Sequence, residues 1–288
     1  MHAEVLSKVE SILAQAGIGD PAADARAIVD AARRLADAPN HSMCALAMAA
    51  ERASGAPLGY VTGSVRFMGL DLVTAPGALV PRMETELLGW AAVHALRMMS
   101  AGDELRLIDM CCGAGNLVCG IACHLPAVRA WAGDLTEDAV KLARMNVQRL
   151  QLSKRVDVAQ SDLFTALHGR GLEGTIDMVV CNPPYISSGR LARDRAVLLT
   201  HEPRAAFDGG PYGLSIFQRV VRDALVFLKP GGLLLFEIGA GQERQVVALF
   251  ERSGGYTRID EFRDRDGMVR VVSGTKNTTG TEDTADRP

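Results

Sequence analysis

Apolar positions follow two rhythms along this chain. Near the start, Val5, Val9, Ile12 and Leu13 recur at helical spacing. Asp20-Pro21 is a helix-start pair: the carboxylate can accept from free first-turn amides, and proline suits the first helical position. A second, alanine-rich helix is predicted over 22–35 and a third over 42–53. Residues 1–56 thus read as a small N-terminal helical domain with no catalytic pattern. Over 57–82 the rhythm changes. In Phe67-Met68-Gly69-Leu70-Asp71-Leu72-Val73 a glycine separates two strand-like runs, which predicts a linker with a β-hairpin.

From residue 83 onward helix and strand alternate. Helical spacing covers 84–99, 116–124, 137–150, 214–228 and 242–253. Strand patterns cover 105–109, 128–134, 156–160, 176–181, 233–238, 256–262 and 268–273. Such alternation predicts an α/β domain over 83–273, a mostly parallel seven-stranded sheet with helices on both faces. The last two strands are too close in sequence for a crossover, so one must run antiparallel. Residues 274–288 carry Thr, Gly, Asp and Glu without an apolar anchor, and a disordered tail is expected.

Composition narrows the class. Hydrophobic residues make up 48% and charged residues 23%, as in ordinary folded proteins. Aromatics are only 5%, so Ala, Val, Leu and Met must fill the core. A net charge of −3 signals no general nucleic-acid binder. No apolar run reaches roughly 18 residues and the first residues lack a signal pattern, so a cytoplasmic protein without membrane contact is expected. Cys119 and Cys123 stand one helical turn apart with His124 beside them. They read as small core residues and not as metal ligands; no metal is expected, and the thiols are read as reduced.

Open parallel sheets bind ligands beyond the carboxyl ends of their strands. Three such ends carry suggestive chemistry. Asp109-Met110-Cys111-Cys112-Gly113-Ala114-Gly115-Asn116 joins strand to helix through small residues that let a ligand approach the backbone. Asp134 ends the next strand and can accept both hydroxyls of a ribose. Asp162 follows the third strand and could accept from an adenine amino group, with Leu163 or Phe164 covering the ring. Together they predict a bound adenosine group; NAD and S-adenosylmethionine both fit.

Asn182-Pro183-Pro184-Tyr185 follows the strand 176–181 directly. Two prolines prevent ladder or helix there and stiffen the corner. The Asn182 side-chain oxygen and the Pro183 carbonyl can accept the two hydrogens of a planar –NH2, and Tyr185 can stack on the flat group. An amide nitrogen is a poor nucleophile because its lone pair is delocalised. Fixed acceptors orient it and stabilise the positive charge that develops on it. This chemistry fits methyl transfer to a planar nitrogen.

Here the chain resembles the Rossmann-like methyltransferases that use S-adenosylmethionine, and among them the HemK/PrmC family of release-factor glutamine N5-methyltransferases. Besides the Asn182–Tyr185 corner, the resemblance is carried by Pro57-Leu58-Gly59-Tyr60-Val61-Thr62-Gly63, by Leu79-Val80-Pro81-Arg82-Met83-Glu84-Thr85-Glu86 and by Glu202-Pro203-Arg204-Ala205-Ala206-Phe207-Asp208-Gly209-Gly210. The late Phe236-Glu237-Ile238-Gly239 with Gly241-Gln242 completes it. It implies cofactor contacts at Asp109, Cys111, Cys112, Gly113, Ala114, Gly115, Asn116, Asp134, Leu135, Asp162, Leu163 and Asn182. It implies substrate contacts at Asn182, Pro183, Pro184 and Tyr185, of which Asn182, Pro183 and Tyr185 are catalytic. The implied partner is a peptide chain release factor, methylated on the glutamine amide of its Gly-Gly-Gln loop. Three stretches depart from the family. Cys111 replaces a glycine, Met83 replaces a proline, and Gly210-Pro211-Tyr212-Gly213 replaces a more acidic stretch. Other readings of the same motif are N-methylation of a free amino acid or small amine, and methylation of a nucleic-acid base; a non-catalytic binding protein is a further one. Arg190, Arg193, Arg195 and Arg204 follow the corner in what reads as a solvated loop over 187–204.

Overall fold

Alanine lets the first helices close tightly. In the structure, a computed structural model describing residues 2–99, 104–194 and 198–278, α1 (His2–Gln15), α2 (Pro21–Leu35) and α3 (His41–Ala53) bury Val9, Leu13 and Ile28 among Ala25, Ala32, Ala45 and Ala49. Asp20 Oδ1 accepts from the Ala23 amide at 2.9 Å and so caps α2. A short helix that the sequence pattern did not signal, α4 (Leu58–Thr62), stops at Gly63. The hairpin β1 (Ser64–Phe67) and β2 (Leu70–Val73) turns on Met68 and Gly69, both at positive φ, as a two-residue turn between twisted strands requires.

The large sheet holds β3 (Leu105–Met110), β4 (Val128–Asp134), β5 (Val156–Gln160), β6 (Ile176–Cys181), β7 (Leu228–Glu237), β8 (Tyr256–Arg263) and β9 (Val269–Lys276). Their spatial order is β5-β4-β3-β6-β7-β9-β8; β9 runs antiparallel between its neighbours, and the other pairings are parallel. Side chains alternate between two cores, as the period of a strand demands: Met178 and Val180 face one, Val179 and Cys181 the other. The hairpin with α5 (Glu86–Met99), α6 (Asn116–His124) and α7 (Glu137–Arg149) covers the first face. The second is covered by α9 (Ser215–Phe227) and α10 (Glu243–Ser253), numbered after α8 (Ser188–Asp194). The chain winds outward from β3 in one direction and from β6 in the other, so a crevice opens between their carboxyl ends.

Three expectations need correction. β7 starts at Leu228 and not at 233, because a bulge absorbs Lys229-Pro230-Gly231-Gly232: Leu228 pairs with Ile176, but Leu233 already pairs with Met178. Strand β9 reaches Lys276, where a tail was expected from 274. Backbone pairing on both sides holds Gly274 and Thr275 without apolar side chains, and a Cβ on Gly274 would lie 2.6 Å from the Phe250 ring. The rest of that tail, 279–288, lies outside the described residues. The region 187–204 is not simply a loop, since fully buried Leu191 anchors α8. Among the described residues no helix is long and apolar enough to cross a membrane.

Candidate active site

The turn after β3 carries left-handed backbone at Cys111 (φ 57°), Gly113 (φ 54°) and Gly115 (φ 77°). Glycine takes this conformation freely, whereas a side chain there costs about 1–2 kcal/mol, so Cys111 holds strain at the cleft wall. In front of Gly113 the space is open: an added Cβ would meet nothing within 4 Å. Asp134, at the end of β4, ties the turn down. Its Oδ2 accepts from the Gly113 amide at 2.9 Å, and its Oδ1 from the Thr136 amide at 3.1 Å.

One cleft brings together Cys111, Cys112, Gly113, Asn116, Asp134, Leu135, Asp162, Leu163, Asn182 and Pro184, with Ala205, Ala206 and Ile216 closing its far side. Its wall combines the carboxylates of Asp134 and Asp162 and the polar side chains of Asn116, Thr136 and Asn182 with apolar Leu79, Leu135, Leu163 and Ile216, a mixture that suits an adenosine group. Three of the expected residues stand behind this wall and not on it. Fully buried Asp109 accepts from the Val118 amide at 3.0 Å and leaves Oδ1 without a partner. Burial, with the charge of Asp134 adding to it, pushes its carboxyl up to about 8, against the pull of the Val118 amide. Ala114 gives its carbonyl to Asn146, and Gly115 packs where a Cβ would lie 3.1 Å from Ala143. Asp162 lines the cleft with its Oδ2 paired to Arg219 at 2.9 Å, whereas Phe164 is stacked on Phe227 in the core, so of the two residues expected to cover a ring Leu163 is the one on the wall.

A second cleft, of about 750 Å³, is lined by Asn182, Pro183 and Tyr185 with Glu84, Arg190, Tyr212, Glu237 and Arg270. The two clefts share Leu79, Arg82, Asn182 and Ala206. Asn182 Nδ2 donates to Thr85 Oγ1 at 3.1 Å. Neither Asn182 Oδ1 nor the Pro183 carbonyl accepts from any described residue. Burial raises the Tyr185 hydroxyl above its ordinary value, keeping it neutral. Gln242 holds the corner from behind: its Oε1 accepts from the Gly239 amide at 2.9 Å and its Nε2 donates to the Tyr185 carbonyl at 3.1 Å. Glu202 does the same for the opposite wall, accepting from the Val80 amide at 3.0 Å and pairing with Arg82. Arg204 is paired with Asp208, and Arg195 lies outside the described residues. Thr85, Glu202, Glu237, Gln242 and Arg270 had no role assigned from sequence. All but Arg270 sit in segments that carry the resemblance, and that was the available signal.

Two clefts meeting at one amide form the layout of a group-transfer enzyme, and on this sheet they define the Rossmann-like methyltransferase class. A family model described as the methyltransferase small domain matches residues 91–210. A release factor glutamine methyltransferase from Gloeobacter violaceus is 35% identical over 216 residues, 75% of this chain and 73% of that protein. Another, from Caulobacter vibrioides, is 31% identical over 276 residues, 92% of this chain and 93% of that protein. The chain belongs to the release factor glutamine methyltransferase family. Among solved structures, the N-terminal domain of human METTL16 in complex with SAH has the same fold, with TM-score 0.52 and 17% identity over 83% of each chain.

Proposed function

We propose that this enzyme transfers a methyl group from S-adenosylmethionine to the side-chain amide nitrogen of a glutamine in a peptide chain release factor, the glutamine of a Gly-Gly-Gln loop. One observation carries this reading: Asn182 stands on the wall common to both clefts, with its Oδ1 and the neighbouring Pro183 carbonyl unpaired. Two fixed acceptors match the two hydrogens of an amide –NH2. The second cleft is far larger than a free amino acid needs, which favours a peptide loop over a small amine.

The first cleft fits the cofactor. Asp134 is placed for ribose hydroxyls, the open face of Gly113 admits close backbone approach, and Leu163 and Ile216 offer apolar cover. S-adenosylmethionine supplies, when bound, a methyl on positively charged sulfur. The chain's own work is positioning. Asn182 and Pro183 turn the amide nitrogen towards the first cleft and favour its rehybridisation, since both acceptors bind more strongly as that nitrogen becomes positive. An uncharged acceptor at 182 leaves no anion beside the sulfonium to compete. Tyr185 supports the flat amide. The methylated nitrogen carries a surplus proton acidic enough for water to take, so no strong base is required. The α1–α3 unit, residues 1–56, and the linker 57–82 stand ahead of the methyltransferase unit that begins at residue 83.

The test is direct. The purified chain is mixed with methyl-labelled S-adenosylmethionine and a release factor, and the product peptides are mapped by mass spectrometry. Label on the loop glutamine is expected. Label on free amino acids, with none on the factor, overturns the reading.

A further inference from the structure

Glu237 ends β7, beside the strand that delivers Asn182: Cys181 pairs with Phe236, one position before each. It is 2% exposed, and its Oε2 is buried without a partner. A carboxylate so placed is costly unless it serves neighbouring donors. Two such neighbours are Thr85 and Asn182, which, with Arg270, oppose the upward shift that burial imposes on its carboxyl. Fully buried Thr85 completes the chain of donors. Its oxygen already accepts from Asn182 Nδ2 at 3.1 Å, so its one proton is left for another acceptor. The adjoining Glu237 carboxylate, with Oε2 unpartnered, is placed to take it.

The direction of this relay has a consequence for Asn182. An amide has two nearly isosteric faces, one donating and one accepting. With Thr85 presenting a lone pair, only the –NH2 face can turn inward, and Oδ1 is left facing outward. Were Glu237 absent, the Thr85 hydroxyl could donate to Oδ1 of a flipped amide, which would then turn its –NH2 towards the acceptor nitrogen. On its other side Glu237 stands 3.9 Å from Arg270, whose charge also bears on the Tyr185 hydroxyl. A single buried carboxylate thus touches the supports of both halves of the corner. Building on the methyl-transfer reading above, we propose that Glu237 is a positioning residue: through Thr85 it locks the Asn182 amide with Oδ1 turned towards the acceptor nitrogen.

A mutant cycle with the full chain and a release factor tests this. Glu237→Gln and Thr85→Val should each lower kcat about tenfold or more, and for Glu237→Gln the affinity for S-adenosylmethionine should stay unchanged within about twofold by calorimetry. The double variant should lose little beyond either single, because both break one relay, while Thr85→Ser keeps the hydroxyl and should retain most turnover. Losses that multiply, or a Glu237→Gln enzyme with wild-type kcat, overturn the proposal. If Glu237→Gln fails to fold, Glu237→Asp, which withdraws the carboxylate by one methylene, takes its place with the same expectation. A parallel readout needs no turnover: the side-chain 15N–1H pair of Asn182 should shift in both single variants and not in Thr85→Ser. Unshifted signals overturn the relay. Absent turnover in the wild type, with shifted signals, overturns the assigned reaction and leaves the relay standing.

Discussion

Asn146 is the point where the hairpin is fastened to the cofactor turn, and Asn146→Ala should show it. The side chain lies fully buried on α7. Its Oδ1 accepts from the Val73 amide at 2.8 Å, and its Nδ2 donates to the carbonyls of Val73 at 3.0 Å and Ala114 at 2.9 Å. Alanine removes all three bonds and leaves three backbone groups to find other partners. At about 1 kcal/mol net for each bond, more where the orphan stays dry, the loss comes to roughly 2–4 kcal/mol. For a chain of this size that lowers the melting temperature by about 3–7 °C. Because one bond holds the Ala114 carbonyl inside the turn, cofactor affinity should fall several-fold as well. Urea titration and calorimetry with S-adenosylmethionine read the two effects. Asn146→Asp sharpens the test, since it would place a carboxylate against two carbonyl oxygens. Its carboxyl is then raised in the fold, so its stability should fall as pH rises from about 4 towards neutrality. A loss below about 1 kcal/mol for Asn146→Ala, or an unchanged affinity, would refute the role given to this residue.

Asn182→Ala should keep its melting temperature within a few degrees and lose turnover about a hundredfold or more, measured with a release factor; near-normal turnover contradicts the two-acceptor mechanism. Gly209→Ala should lower kcat while sparing cofactor affinity. Its Cβ would lie 2.6 Å from the Pro184 carbonyl and 2.8 Å from the Gly213 Cα, and backbone cannot yield as a side chain can; unchanged steady-state kinetics would show that the corner tolerates displacement. Asp109 gives a pH signature. Its folded carboxyl at about 8 lies above the unfolded one, so the wild type loses stability as pH rises from about 4 to 8. Asp109→Asn should flatten that decline, with melting curves diverging most at pH 8–9; parallel curves across the range refute the assignment.

The acceptor corner was legible in the sequence because its signal is local. Four consecutive residues after a buried apolar strand specify a stiff turn and two oxygens, whatever lies around them. The strands β4, β5 and β6 were legible for a similar reason: each is a short run of apolar and alternating positions bounded by Asp, Gln or Asn-Pro. The start of β7 was hidden because Pro230 and Gly231 announce a break, and only the partner strand shows that a bulge absorbs them. What turns acceptor atoms into an oriented site was not local at all. Thr85 lies 97 residues before Asn182, and Gln242 lies 57 residues after Tyr185. Asp162 shows the same dependence: it lines the first cleft, and Arg219, 57 residues further on, holds its Oδ2. A motif therefore names the atoms that can react, whereas their direction is set by buried side chains from distant segments. Substitutions at Asn182 and at Thr85 should for that reason differ in kind: the first removes an acceptor, and the second leaves every acceptor in place but free to turn.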